Sequence, residues 1–394
     1  MTTQTKTTWR KVRLKEVLEK VIDNRGKTPL LSNSGYPIIE VFQLSRDRKY
    51  PDISDNKKQK FVSEQRFNTW FRSGHPQGGD ILMSTVGTIA QWNLMPKNEK
   101  YCIAQNVVAL RPNLSKTTPE FLRFYFNQRK FISQVKGIVI GATQPSVRLP
   151  HFLNLEVEIP PLNTQKRIAD ILSAFDDKIE LNNKISWTLE QMAQAIFKEW
   201  LFKNQKSKIK NQKLGDLMVL RKEKFKKYED WKNLKLLDLG RFPQKSLAIT
   251  SYGKGEEIKT AGIKFKKGDI LFGAVRPYFH KVVIASFDGV TNSSVFVIIP
   301  KKDNYYTLLI TILFSENTVN YASMSASGTK MPVIKWEVLC DMEISLPEER
   351  ALNNFNKIVG NFYKVILKNA EENQKLAALR DLLLPRLMSG EIKV

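Results

Sequence analysis

The sequence predicts an α+β protein: two repeated mixed α/β domains separated by two long helices that form an antiparallel coiled coil. Three observations carry this prediction. Landmark motifs recur in the same order about 188 residues apart, each copy is rich in short β-type apolar runs, and each copy is followed by a long heptad-patterned segment.

The repeat comes first in the argument. Gly79-Asp80-Ile81-Leu82 is answered by Gly268-Asp269-Ile270-Leu271, at an offset of 189. Gln105-Asn106-Val107-Val108 is answered by Ser293-Ser294-Val295-Phe296, at 188. Pro145 and Pro332, then Ile159-Pro160 and Leu346-Pro347, follow at 187. A unit this long is a duplicated domain and not a solenoid repeat. The boundaries read as residues 1–160 for the first domain, 161–204 for a central helix, 205–346 for the second domain and 347–394 for a C-terminal helix.

Within each copy the apolar runs are short and bounded by Gly, Pro and Asn, as in Ile103 to Leu110 and Val295 to Ile299, which reads as strands. Amphipathic helices such as Pro119 to Gln134 lie between them.

The two long helices carry the clearest periodicity. Alternate steps of four and three pick out Ile168, Leu172, Phe175, Ile179, Asn182, Ser186, Leu189, Ala193, Ile196 and Trp200. The same steps, 187 residues on, give Phe355, Val359, Phe362, Ile366, Asn369, Asn373, Leu376, Arg380, Leu383 and Leu387. Such a seam specifies a coiled coil. Arg380 breaks it, and Leu379 is expected to fill the gap. Asn182 and Asn369 share one register position near the helix centres, so an antiparallel pair brings them face to face. Ser345, Pro347 and Glu348 mark the start of the second helix, and Pro385 is expected to kink or end it. Helices of about 40 residues span roughly 60 Å.

Charge narrows the function. The chain of 394 residues holds 63 Lys and Arg against 39 Asp and Glu, a net charge of +24, which points to a polyanionic partner. No apolar run approaches the roughly 20 residues of a spanning helix, and Met1 to Arg10 lacks the apolar core of a signal peptide. Cys102 and Cys340 read as buried free thiols in a reducing cytoplasm. A catalytic site is not expected. Gly26-Lys27-Thr28 lacks the upstream glycine of a phosphate-binding loop, and Asp52 and Asp55 sit in a polar loop. No methyltransferase motif occurs, and the three histidines His75, His151 and His280 are dispersed, so neither a metal nor a cofactor is expected.

The order of these motifs, doubled, resembles the specificity subunits of type I restriction-modification systems. The resemblance covers nearly the whole chain. It rests on the two Gly-Asp-Ile-Leu runs, on Gly141-Ala142-Thr143-Gln144-Pro145 with Gly328-Thr329-Lys330-Met331-Pro332, and on Ile159 to Gln165 leading into the first helix. Leu14 to Val17, Lys213 to Leu217 and the C-terminal Leu384 to Ile392 also fit. Glu348-Glu349 departs from the glutamine usual there. The resemblance implies two target recognition domains, each reading one half of a split site in double-stranded DNA, with the helices as spacer. It also implies two methyltransferase subunits docked on the chain and two motor-nuclease subunits completing the complex.

On that reading the DNA contacts fall on basic and polar loops. The first copy offers Arg25, Lys27, Arg46, Arg48, Lys49, Gln91 and Gln144; the second offers Lys245, Lys254, Arg276, Tyr278, His280 and Lys330. Arginine pairs with guanine and glutamine with adenine in the major groove, while lysine mostly meets phosphate. Arg276 stands out, because Pro277 holds it at a strand-to-loop turn. The alternatives are a divergent stand-alone nuclease or methyltransferase, which turnover by the isolated chain would reveal, and a coiled-coil nucleic-acid scaffold, for which duplex DNA would not compete.

Overall fold

The computed structural model describes residues 9–26, 28–53, 59–204, 210–225, 234–258, 262–346 and 348–394. The chain divides into two compact units, residues 1–177 with 377–394, and residues 178–376. The long helices run from Leu162 to Asn204 and from Glu349 to Met388. Each unit therefore contains one mixed α/β head and a segment of both helices.

In the first unit a four-stranded antiparallel sheet has the order Leu18–Ile22, Val107–Pro112, Ile81–Ser84, Trp92–Leu94. A smaller sheet pairs Lys60–Val62, Tyr36–Ile39 and Cys102–Ile103. Thr118 caps the helix Pro119–Phe126 by accepting from the Phe121 amide, with proline in the first turn where its missing N–H costs nothing. That helix and Arg129–Gly137 lay Phe126 and Phe131 against Trp92, whose indole donates to Asn127 Oδ1 at 2.6 Å, and Phe121 and Phe124 join the same core. Ile168 and Leu172 of the first long helix enter this core, as do Leu384, Leu387 and Met388 of the second.

The second unit repeats the four-stranded sheet in the same order: Met218–Leu220, Val295–Pro300, Ile270–Gly273, Val282–Ile284. Its other sheet is larger, with five strands from Lys224–Phe225 to Gly253–Lys254. Helices Tyr306–Leu313 and Glu316–Met324 cover the first sheet, and the core takes in Leu352, Phe355, Val359, Tyr363 and Ile366 of the second long helix and Ala193 of the first.

The repeated Gly-Asp pair has a structural explanation. Gly79 and Gly268 turn the chain at φ 92° and 93°, where a side chain would be strained. Asp80 then accepts from the Gln77 amide and holds Arg111 through two bonds of 3.0 and 2.9 Å. Asp269 likewise accepts from the Lys266 amide and holds Arg221, at 2.6 and 2.9 Å. The arginine comes from a different strand position in each head, yet the turn is closed in the same way.

Within the second unit the long helices run antiparallel. Asn369 Nδ2 donates to Asn182 O at 3.3 Å and to Ser186 Oγ at 3.2 Å, while Asn182 Nδ2 donates to Glu372 and Asn373, each at 2.9 Å. Further along, the rings of Trp200 and Phe355 stack at 5.1 Å. Ile168, Leu172, Asn182, Phe355, Val359, Ile366 and Asn369 are buried. Phe175, Ile179, Leu189, Ile196, Phe362, Leu376 and Leu383 are half-buried.

Three expectations need correction. Leu379 does not fill the seam: it is 49% exposed, and Arg380 points inward because buried Asp176 pairs with it at 2.6 Å. Pro385 does not end the helix, which continues to Met388, where the Ser389 amide still reaches the Pro385 carbonyl at 3.0 Å. Proline removes a bond only on its N-terminal side, so the turn after it survives. Of the two free cysteines only Cys102 is fully buried, and burial pushes its thiol up to about 12; Cys340 is half-buried.

Candidate nucleic-acid interface

The main chain brings some of the candidate residues of each head together, while Arg25 and Lys254 lie on other segments, beside Asp23 and on the strand Gly253–Lys254. In both four-stranded sheets the two strands farthest from the sheet's first edge form a hairpin, Ile81–Ser84 with Trp92–Leu94 and Ile270–Gly273 with Val282–Ile284. The hairpin tip docks on the proline-containing loop. The Gly87 amide donates to Pro145 O at 2.9 Å, and the Arg276 amide donates to Pro332 O at 2.7 Å. The tip thus joins Gln91 to Gln144 in one head, and Arg276, Tyr278 and His280 to Lys330 in the other.

Those two amide bonds make Gly87 and Arg276 occupants of one backbone site. Gly87 sits at φ 84° and Arg276 at φ 50°, both left-handed. Glycine takes this conformation freely, whereas a side chain there costs on the order of 1–3 kcal/mol. His280 and Lys245 are left-handed too, at φ 51° and 53°, and the Lys245 amide donates to the His280 carbonyl at 3.0 Å. Three left-handed residues, two of them hydrogen-bonded to each other, mark a shape the fold maintains at a cost. Strain of this kind concentrates where function requires it.

Individual side chains differ in how available they are. Tyr278 is 53% exposed, and Lys254, Lys330 and Gln144 are exposed. Arg276 is half-buried, with Nη2 donating to Lys330 O at 3.2 Å and Nε enclosed without a partner, so its guanidinium is oriented. Exposed Lys245 lies 3.3 Å from Glu316. His280 is withdrawn from the set: it is buried, its Nε2 bonds Phe314 O at 2.8 Å, and burial pushes its pKa below the usual histidine value.

In the first head Arg46, Arg48 and Lys49 share one loop. Gln91 Oε1 accepts from the Arg46 amide at 3.1 Å, so that oxygen braces this loop. Arg48 pairs with Asp52 at 2.6 Å, and Lys49 with Asp177 at 2.5 Å. Arg25 is held by two bonds to Asp23, of 2.8 and 2.6 Å, which offsets its charge and pushes the Asp23 carboxyl down. Lys27 lies outside the described residues. Sequence reasoning missed an apolar rim here, exposed Leu30, Leu31 and Phe42. Their excess of exposed apolar surface was the available signal, but only once burial was known.

Each unit also presents apolar side chains outside the helix seam. They are Ile171, Leu379 and Leu382 in the first, and Ile185, Met192, Ile358 and Val365 in the second. Ile171, Ile185 and Met192 occupy one heptad position, as do Ile358, Val365 and Leu379 at the repeat-related positions. In the second unit Lys178 and Glu372 hold the same positions and pair across the helices at 3.6 Å, so the two rows lie side by side there. Among the described residues no cluster of three His, Cys, Asp or Glu could hold a metal ion, and no helix is long and apolar enough to cross a membrane.

Comparison with known proteins accords with this duplicated plan. Residues 6–191 and 205–379 each match the type I restriction modification DNA specificity domain. The chain is 25% identical over 398 residues to the HindI specificity subunit of Haemophilus influenzae, covering 80% of this chain and 86% of the relative. It is 24% identical over 302 residues to the MjaIX specificity subunit of Methanocaldococcus jannaschii, covering 70% and 69%. The crystal structure of the S subunit of a type I restriction-modification system from M. genitalium superposes with a TM-score of 0.54 at 14% identity, covering 98% of both chains, which is a likeness of fold. With two domain matches spanning most of its length, the chain belongs to the type I restriction-modification DNA specificity family.

Proposed function

We propose that this chain is the DNA-recognition subunit of a type I restriction-modification complex and performs no chemistry itself. Each head reads one half of a split site in double-stranded DNA, and the long helices set the gap. Two methyltransferase subunits dock on the chain, and two motor-nuclease subunits complete the assembly. The observation that carries this reading is the tip shared by Gly87 and Arg276. The same hydrogen-bonded frame is built twice and furnished with different side chains, as two different half-sites require. Arg276, Tyr278, Lys245, Lys254 and Lys330 form the second reading surface; Arg46, Arg48, Lys49 and Gln144 form the first. A net charge of +24 supplies the attraction to phosphate that any such reader needs. The apolar rows flanking the seam are where a helical segment of each methyltransferase subunit packs, since exposed apolar patches mark protein contacts.

Methylation mapping in a host carrying this chain and its partner methyltransferase tests the reading. Replacing residues 1–150 by the head of a relative changes one half-site and leaves the other intact. A swap that alters both half-sites, or methyl transfer by the isolated chain, overturns it.

A further inference from the structure

The reading loops are held from beneath by side chains of the first long helix, and the two heads do this differently. The loops correspond through one shared bond. The Leu94 amide donates to Lys49 O at 2.9 Å, and the Ile284 amide, at the matching place on the hairpin, donates to Leu247 O at 3.1 Å. The loop with Arg46, Arg48 and Lys49 in the first head is thus the counterpart of the loop with Lys245, Ser246 and Leu247 in the second.

In the first head the Arg48 carbonyl accepts from Arg123 Nη2 at 3.0 Å. Arg123 is 1% exposed, and its Nη1 lies 2.6 Å from Asp176 Oδ2 on the long helix. The next residue of that helix, Asp177, holds Lys49. In the second head Glu190 takes this part directly. Its Oε1 accepts from the Leu247 amide at 2.7 Å and from Ser246 Oγ at 3.2 Å, while Oε2 is buried without a partner. Glu190 has no exposed surface, so the helix retains a carboxylate whose desolvation opposes folding. The repeat gives no reason for it, because the positions matching Asp176 and Glu190 are Tyr363 and Ala377.

We infer that Asp176, acting through Arg123, and Glu190 are positioning residues for DNA recognition, each fixing the basic loop of its own head against the long helix. The inference rests on the heads being DNA readers. Base readout demands placement to about half an ångström, which a loop reaches only when supporting groups hold its main chain. A carboxylate that grips a backbone amide between two residues of a reading loop sets the path of that loop. Loop geometry, and so half-site preference, then depends on the helix as well as on the head.

The test is methylation of a DNA library by the full chain with its partner methyltransferase, scored separately at each half-site. Glu190→Ala is expected to relax discrimination at the second half-site by about tenfold, the worth of one charged hydrogen bond, with the first unchanged. Glu190→Gln restores it, because the amide oxygen still accepts from Leu247. Asp176→Asn relaxes the first half-site only. Asp177→Asn, at an exposed position where folding is not at stake, does so by about threefold. The inference is overturned if Glu190→Ala or Asp177→Asn leaves discrimination intact, if both half-sites relax together, or if Glu190→Gln fails as Glu190→Ala does. Failure of the unsubstituted chain to direct methylation to any bipartite site would instead overturn the reading of the heads, and this inference with it.

Discussion

Where Asp176 stands, the first head meets the long helices through an ion triad; at the matching place the second head meets them through a hydroxyl pair. In the first, Arg123 and Arg380 converge on Asp176, each at 2.6 Å. The positions matching Asp176 and Arg380 are Tyr363 and Ala193 in the second unit, where Tyr363 Oη and Thr311 Oγ1 lie 2.7 Å apart in the core. The main-chain frame was duplicated while its polar interior diverged. The members of an ion triad and of a hydroxyl pair are not interchangeable, because neither half of one satisfies the other. Each head is therefore fitted to the helix segments of its own unit, and the fit resides in a few buried side chains.

The largest expected effect breaks the charged end. Asp176→Ala leaves Arg123 without a counter-charge and Arg380 with exposed Asp381 alone, and removing one partner of a buried pair costs about 3–5 kcal/mol. Denaturant unfolding of the full chain should show the first unit's transition moving and the second's staying. Adding Arg123→Thr and Arg380→Ala, with Tyr in place of Ala at 176, imitates the second head and should recover most of the loss. If the single and combined variants unfold alike, the two ends do not differ in the way described.

Next in size is a pH effect confined to the second unit. Burial pushes the Glu190 carboxyl up to about 7, against 4.5 for an ordinary glutamate, so the folded state binds a proton that the unfolded state has lost. Stability from this group is fully present below about pH 4.5 and is lost as pH rises through 7, by up to roughly 3 kcal/mol. Glu190→Gln should flatten that slope. An unchanged difference between pH 5 and pH 8 in the variant would remove Glu190 as its source.

Smaller effects sharpen the contrast. Tyr363→Phe deletes the hydroxyl pair and should cost about 1 kcal/mol in the second unit alone, read from its midpoint. Arg276→Gly installs the residue found at the matching site in the first head. It should stabilise the second unit by about 1 kcal/mol by relieving the left-handed conformation, while weakening discrimination at the second half-site. A variant that is stabilised and still fully discriminating would show that Arg276 does not read DNA.

The duplicated plan and the antiparallel helices were legible because they depend on period and order. Heptad spacing placed Asn182 and Asn369 at one register position, and they are hydrogen-bonded neighbours across the pair. The polar interior was not legible. Asp176 and Glu190 each follow a seam residue directly, Phe175 and Leu189, and nothing in the sequence points to a partner for either. Only the tertiary position of Arg123, 53 residues upstream of Asp176, or of Leu247, 57 residues beyond Glu190, reveals their roles. The basic loop at Arg46 to Lys49 could be found because its residues adjoin in sequence. His280 misled for the same reason: two residues from exposed Tyr278, it turns into the core.

The placement of Leu384, Leu387 and Met388 in the first head's core orders events during synthesis. The second unit is one continuous stretch, 178–376, and all of its core residues have been made while the ribosome is still adding the end of the second helix. The first head is begun earlier but lacks part of its interior until residues 384–388 emerge. Chains fold as their units become complete, so the head made first is the one finished last. A chain interrupted before residue 384 would carry an open apolar seat around Phe121 and Leu172, a mark by which chaperones and proteases could recognise an incomplete copy.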